Sequence, residues 1–168
     1  DTVAGDVYDA AAAKGKEWLV YQLQVDSRKK IATGNVILIE PDKNSKLAKN
    51  GTIAVMHGPG PDYRVEHDEK RRKELLYQVY YNSLNEALRD VTSPKMKQVK
   101  IAFPLISSGE FKCPPSESAS LAMQAFKDYI KNKSHMLDNR QVDIEFYVLG
   151  HDVRYDALKK AIESTHAA

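Results

Sequence analysis

Hydrophobic positions along the chain follow two periods. Asn35–Glu40, Thr52–His57, Val99–Ile106 and Val142–Leu149 are short runs rich in Val, Ile or aromatic residues, and they read as buried or half-buried strands. Between the second and third runs, Leu75, Leu76, Val79, Tyr80, Leu84, Ala87 and Leu88 recur at intervals of three and four. That spacing puts one apolar stripe on a long amphipathic helix from Glu69 to Asp90. A second helix is expected from Ser116 or Ser118, either of which can cap it, to about Lys131, with Leu121, Ala122, Ala125, Phe126, Tyr129 and Ile130 facing inward. A last helix covers about Val153 to Ser164. Between Ala10 and Gly34 the pattern is mixed: Ala10 to Ala13 favour helix, whereas Trp18 to Tyr21 fit a short strand or a buried helical turn equally well. Pro41 to Gly51 reads as a solvated turn.

Strands alternating with amphipathic helices predict an α/β protein, a layered sheet with helices on both faces and parallel pairing in its later part. At 168 residues the chain is expected to form a single domain, 1–168. A net charge of +2 argues against a general nucleic-acid or membrane surface, so any anion recognition has to be local. The run Glu69-Lys70-Arg71-Arg72-Lys73 at a helix start reads as a solvated face. No apolar run is long enough to span a membrane as a helix. The lone cysteine, Cys113, rules out an intrachain disulfide, reads as a bystander thiol and fits a reducing, cytoplasmic setting. Because the chain opens at Asp1 with no leader, it reads as a piece of a longer protein.

Chemistry concentrates where strands end. Lys100 to Phe111 runs as an apolar strand into Ser107-Ser108-Gly109 and then towards a helix. Such a turn leaves backbone N–H groups unpaired, and a helix N-terminus adds partial positive charge, so the segment predicts an anion cradle. Gly58-Pro59-Gly60-Pro61 after the second strand and Gly150-His151-Asp152 after the last occupy equivalent ends, where ligands of open α/β sheets bind.

The segment Pro104-Leu105-Ile106-Ser107-Ser108-Gly109-Glu110-Phe111 resembles the second ligand loop of macro domains, which reads roughly Pro-Leu-Ile-Ser-Ser/Thr-Gly-Ile-Phe. Thr52 to Tyr63, containing His57-Gly58-Pro59-Gly60-Pro61, is similar to the family's strand ending in His-x-Val-Gly-Pro. Asp1 to Tyr8 resembles the tail of its first ligand loop, typically Gly-Gly-Gly-Val-Ala-Gly-Ala-Ile. The order of the three matches the family from Val3 to about Ile162.

The resemblance implies a three-layer α/β/α mixed sheet and a site for ADP-ribose. Val3, Ala4 and Gly5 would line the diphosphate and distal ribose from one side, and Ser107, Ser108, Gly109, Glu110 and Phe111 would close from the other. Phe111 matches an aromatic on the distal ribose, and Pro104 and Leu105 match positions flanking the adenine. Gly150 stands where many relatives carry an aromatic under the adenine, leaving His151 as the neighbouring ring able to stack. One active subgroup has Asp and His where this chain has Ala4 and Tyr8, and Glu110 replaces an aliphatic residue. The expected catalytic groups are therefore Asp1 and Asp6, positioning water or ribose, although Asp6 serves equally well as a helix cap. The implied activity is hydrolysis of ADP-ribose from modified proteins, with neither metal nor cofactor. The alternatives are an ADP-ribose reader without turnover and, last, a diverged nucleotide- or RNA-binding domain. Macro domains have further strands before the first ligand loop, so the resemblance also implies a preceding segment, or one supplied as a separate chain, to complete the sheet.

Overall fold

A computed structural model of the chain describes Val7, Ala10 and residues 31–91, 95–148 and 152–167. Among these, β1 (Ile37–Ile39) pairs antiparallel with β2 (Val55–His57), Ile37 opposite His57 and Ile39 opposite Val55. β3 (Gln98–Phe103) pairs in parallel with β4 (Gln141–Phe146), in register from Gln98 and Gln141 to Phe103 and Phe146. All four strands lie where the apolar runs predict them, with shorter ladders. β3 stops at Phe103 because Pro104 has no N–H to continue the pairing. Its residues alternate strictly: Val99, Ile101 and Phe103 are buried while Gln98, Lys100 and Ala102 face outward.

Pro41 to Gly51 is more ordered than a solvated turn. It contains α1 (Lys46–Lys49), whose cap is the buried Ser45, accepting from the Ala48 N–H at 3.1 Å. The long helix α2 (Glu69–Glu86) is capped by Asp68, which accepts from the Arg71 N–H at 3.0 Å. It widens into a π turn over Ala87–Val91 that keeps Ala87 and Leu88 in the core. α3 (Pro115–Asn132) does not begin with either expected serine cap. Pro114 is the cap and Pro115 the first helical residue, where a fixed φ and a missing N–H suit a helix start. Ile130 was expected inward but is 51% exposed, since it follows the fully buried Tyr129 by one residue and so by about 100° around the helix. α4 (Val153–Ala167) starts from Asp152, whose Oδ1 accepts from the Arg154 N–H at 2.8 Å. No helix of the described residues is long and apolar enough to cross a membrane.

α2 and α3 pack on the buried face of β3, joining Leu76, Tyr80 and Leu84 to Ile101, Phe103, Phe126 and Tyr129 in one core. Tyr80 is its centre, with ring centroids 5.9 Å from Phe103 and 5.8 Å from Phe126, the latter edge-on. α4 adds a smaller cluster through Leu158, against Leu105 and Ala119.

A polar ring sits in this apolar core. The Ile106 N–H donates to Tyr80 Oη at 2.9 Å, and the Ser118 hydroxyl donates to the Ile106 carbonyl at 2.7 Å. Tyr80 Oη and Ser118 Oγ lie 2.8 Å apart. Each hydroxyl has one proton, and that of Ser118 is committed to Ile106, so Tyr80 must donate to Ser118. The three bonds form a closed cycle in which every group is satisfied, and such cycles reinforce themselves in a low-dielectric surrounding. Tyr80→Phe strands the Ile106 N–H, and Ser118→Ala strands its carbonyl; each is expected to cost about 1–3 kcal/mol in urea unfolding. The double variant should lose less than the sum of the two. Strict additivity would contradict the cycle.

Candidate functional site

The loop from Pro104 to Cys113 is shaped by its own backbone. Ser108 donates to the Leu105 carbonyl through both its N–H (3.3 Å) and its hydroxyl (2.7 Å), the Lys112 N–H reaches Gly109 O at 3.1 Å, and the Cys113 N–H reaches Ser107 O at 2.9 Å. Ser107 and Lys112 hold φ values of 61° and 60°, a left-handed conformation that costs a non-glycine residue about 1–2 kcal/mol and has to be supported by its surroundings. After these bonds, the N–H groups of Ser107, Gly109, Glu110 and Phe111 have no partner among the described residues. Gly109 and Glu110 are exposed. The unpaired donors of the predicted cradle are therefore present. The helix contribution is not as predicted: α3 begins only at Pro115, and Pro114 and Pro115 remove amide donors from its start.

The loop after β2 packs directly against this one. A Cβ on Gly60 would press on Ser107 Oγ and lie 2.6 Å from Ile106 Cγ2, so any side chain there requires Ser107 and Ile106 to shift. Pro61 is fully buried, and the Tyr63 N–H donates to Phe111 O at 2.9 Å. Arg64 then joins the loops electrostatically. Its Nε and Nη2 contact the two Asp62 oxygens at 2.9 and 2.7 Å, its Nη1 reaches Glu110 Oε1 at 2.6 Å, and its guanidinium lies over the Phe111 ring, 5.6 Å from the centroid. Hydrogen bonds from the Arg64 side chain and backbone hold the Asp62 carboxyl below its usual range. The Glu110 carboxylate thus points to Arg64, leaving its N–H in the row of free donors.

Other groups fall away as reactive candidates. Cys113 is buried beneath the loop, and burial pushes its thiol up to about 11, so it is protonated at neutral pH. Every cation of the basic run is engaged: Lys70 with Glu74, Arg71 with Glu66, Lys73 with Glu69 and Glu117, and Arg72 over the Tyr63 ring. The run is a paired helix face, and it is less solvated than read from sequence, with Arg72 and Lys73 half-buried. No group of three or more His, Cys, Asp or Glu among the described residues is placed to hold a metal ion. A depression of about 480 Å³ between Ile31, Ala32, Asn35 and Asn82, Glu86 contains no sequence-predicted site residue.

Of the expected ligand residues, Ser107, Ser108, Gly109, Glu110 and Phe111 lie together on the loop. Leu105 is buried against Ala119 and Leu158, and Pro104 is half-buried beside it. Asp1, Val3, Ala4, Gly5, Asp6 and His151 lie outside the described residues. Sequence reasoning missed Arg64, and it missed the roles of Tyr80 and Ser118 beneath the loop. Asp62-Tyr63-Arg64 behind a proline turn was the available signal for Arg64; nothing local pointed to its partner Glu110.

The Ser107–Phe111 loop leaves the carboxyl end of β3, the end of the strands at which open α/β folds place their ligands. The sequence model of the family described as Macro domain matches residues 3–122, and the chain belongs to that family. It is 35% identical over 82 residues to the O-acetyl-ADP-ribose deacetylase of Citrobacter rodentium, covering 48% of this chain and 41% of that one. An uncharacterized protein of Pyrococcus abyssi is 28% identical over 133 residues, 79% of this chain and 64% of its own length. With an uncharacterized Thermoplasma volcanium protein matched over 38% of its length, the chain spans less than two thirds of these curated relatives. Among solved structures, a variant Oceanobacillus iheyensis macrodomain with ADPR superposes with a TM-score of 0.73 at 20% identity, covering all of this chain and 80% of that one. The Trypanosoma brucei macrodomain in complex with ADP-ribose gives 0.60 at 15% identity, covering 92% and 60%. These likenesses establish the α/β macro fold with its mixed sheet.

Two measurements check the geometry. Gly60→Ala forces the two loops apart and should destabilise the protein by about 1–3 kcal/mol; an unchanged urea midpoint would contradict the close approach. Burial lowers the His57 pKa, so its imidazole should titrate by NMR below the ordinary 6.5. As pH falls below 6.5 the unfolded chain then takes up the proton first and stability drops, a loss that ends below the folded pKa and that His57→Gln should remove.

Proposed function

We propose that the protein binds ADP-ribose and hydrolyses it from modified proteins. The observation that carries the reading is the row of unpaired N–H groups at Ser107, Gly109, Glu110 and Phe111 in a chain of the macro domain family. Backbone donors spaced along a turn suit the oxygens of a diphosphate, because each accepts charge-assisted hydrogen bonds without a side chain having to be ordered. Val3, Ala4 and Gly5 face the diphosphate from the opposite side, Phe111 packs on the distal ribose, and Pro104, Leu105 and His151 flank the adenine. The deacetylase relative supports hydrolytic chemistry over the stretch it shares with this chain.

In this reading a water attacks the anomeric carbon of the distal ribose, and the bond from that carbon to the protein side-chain atom breaks. Asp1 and Asp6 position the water and take its proton, which is then passed to the departing side-chain atom. The carboxylates of the described loops are otherwise engaged, Asp62 and Glu110 with Arg64 and Glu66 with Arg71, and Cys113 stays protonated. The same observation supports the second reading, a reader that binds without turnover.

Calorimetry of the full-length protein with ADP-ribose tests binding. A Cβ on Gly109 would meet nothing within 4 Å, so Gly109→Leu should leave thermal stability intact while filling the space over the donors and weakening ADP-ribose by more than about tenfold. Release assays on ester-, serine- and arginine-linked ADP-ribosylated proteins and on O-acetyl-ADP-ribose separate the two readings. The hydrolase reading expects release from at least one, reduced about 10²–10⁴-fold in Asp1→Ala or Asp6→Ala with binding retained. Binding without release from any of them selects the reader; no binding to ADP-ribose removes both.

A further inference from the structure

We propose that Arg64 is a positioning residue that keeps the Glu110 carboxylate out of the anion cradle, so that without Arg64 the loop occludes itself; the inference rests on the ADP-ribose reading only for the identity of the competing anion. Glu110 contributes two opposed things to one loop. Its N–H belongs to the row of unpaired donors, whereas its side chain is an anion that those donors would bind. In the structure the conflict is resolved by distance and charge, because Glu110 Oε1 sits 2.6 Å from Arg64 Nη1.

Arg64 is fixed for this task. Two of its nitrogens are committed to the two oxygens of Asp62, and its own N–H donates to Asp62 Oδ1 at 3.0 Å. The Phe111 ring lies beneath the guanidinium, and the Tyr63–Phe111 backbone bond keeps the loops in register. With the planar fork clamped on one edge, the free edge projects across the gap to Glu110. The pair is exposed, 44% at Arg64 and 69% at Glu110, so its contribution to global stability is small and its effect is local orientation.

Removing the guanidinium leaves a flexible, solvated glutamate within reach of two kinds of donor: the exposed Lys112 ammonium and the free N–H groups of its own loop. A carboxylate tethered to the loop competes at high effective concentration for the donors that a phosphate requires, and it repels the phosphate as well. Capture by Lys112 would instead leave the cradle open.

The test uses the full-length protein, with spectra recorded before any ligand is added. In Arg64→Ala, the amide protons of Gly109 and Glu110 should move downfield as they gain a carboxylate acceptor, and in Arg64→Ala/Glu110→Gln they should return towards wild type. ADP-ribose affinity should fall about tenfold in the single variant and recover to within about twofold of wild type in the double, because neutral Gln makes no charge-assisted bond to the donors and does not repel the phosphate. A residue with a merely structural role would show no such rescue. Amide shifts that do not move in Arg64→Ala, or that move and are not reversed by Glu110→Gln, overturn the proposal. If the shifts behave as expected but wild type does not bind ADP-ribose, the assignment of the anion fails and the role of Arg64 stands.

Discussion

The site depends on how the backbone of one residue, Ile106, is held by both its N–H and its carbonyl where β3 gives way to the loop. Strand pairing ends at Phe103, so the loop has to find its support elsewhere. Tyr80 from α2 and Ser118 from α3 supply it, taking the Ile106 N–H and carbonyl into a closed ring of hydrogen bonds. Two helices and a strand end are thereby tied to one point of the backbone. The left-handed Ser107 follows immediately, and the free donors begin with its own N–H. A buried polar ring would be costly if any member lacked a partner; with all of them paired it fixes a backbone direction that apolar packing alone does not specify.

From that fixed point the loop is closed in layers. Inside, Leu105 and Cys113 are buried. Along its flank, Gly60 brings the second loop up against the Ile106 and Ser107 side chains, and the Tyr63–Phe111 bond zips the two together. On the outside, Arg64 gathers Asp62, Glu110 and Phe111. The outcome is a surface whose exposed feature is backbone N–H groups, with the nearest carboxylates turned away. With its carboxylate held by Arg64, Glu110 leaves its own N–H uncovered.

Much of this could be read from the residues. The period-two alternation of Val99, Ile101 and Phe103 and the three-four spacing from Leu75 to Leu88 each encode which side is buried, so strands and helices were placed to within a few residues. Ser107-Ser108-Gly109 after an apolar strand announced unpaired donors because small residues beyond a strand end leave the backbone uncovered. What could not be read depends on contacts between distant residues. Ser118 has the composition of a cap, and only the fold shows that Pro114 and Pro115 set the helix start and free its hydroxyl for Ile106. Ile130 fits the apolar list but lies just past the edge of the stripe. Nothing near Glu110 in the sequence points to its partner, which is 46 residues away.

The central claim is that the Ser107–Phe111 backbone forms an anion cradle for the diphosphate of ADP-ribose. An amide-resolved NMR titration of the full-length protein tests it most directly, comparing ADP-ribose with adenosine, which lacks phosphate. The Ser107, Gly109, Glu110 and Phe111 amides should shift in a saturable manner with ADP-ribose and stay in place with adenosine. Saturable shifts that leave these amides unmoved and gather elsewhere, such as around Asn35 and Asn82, would contradict it.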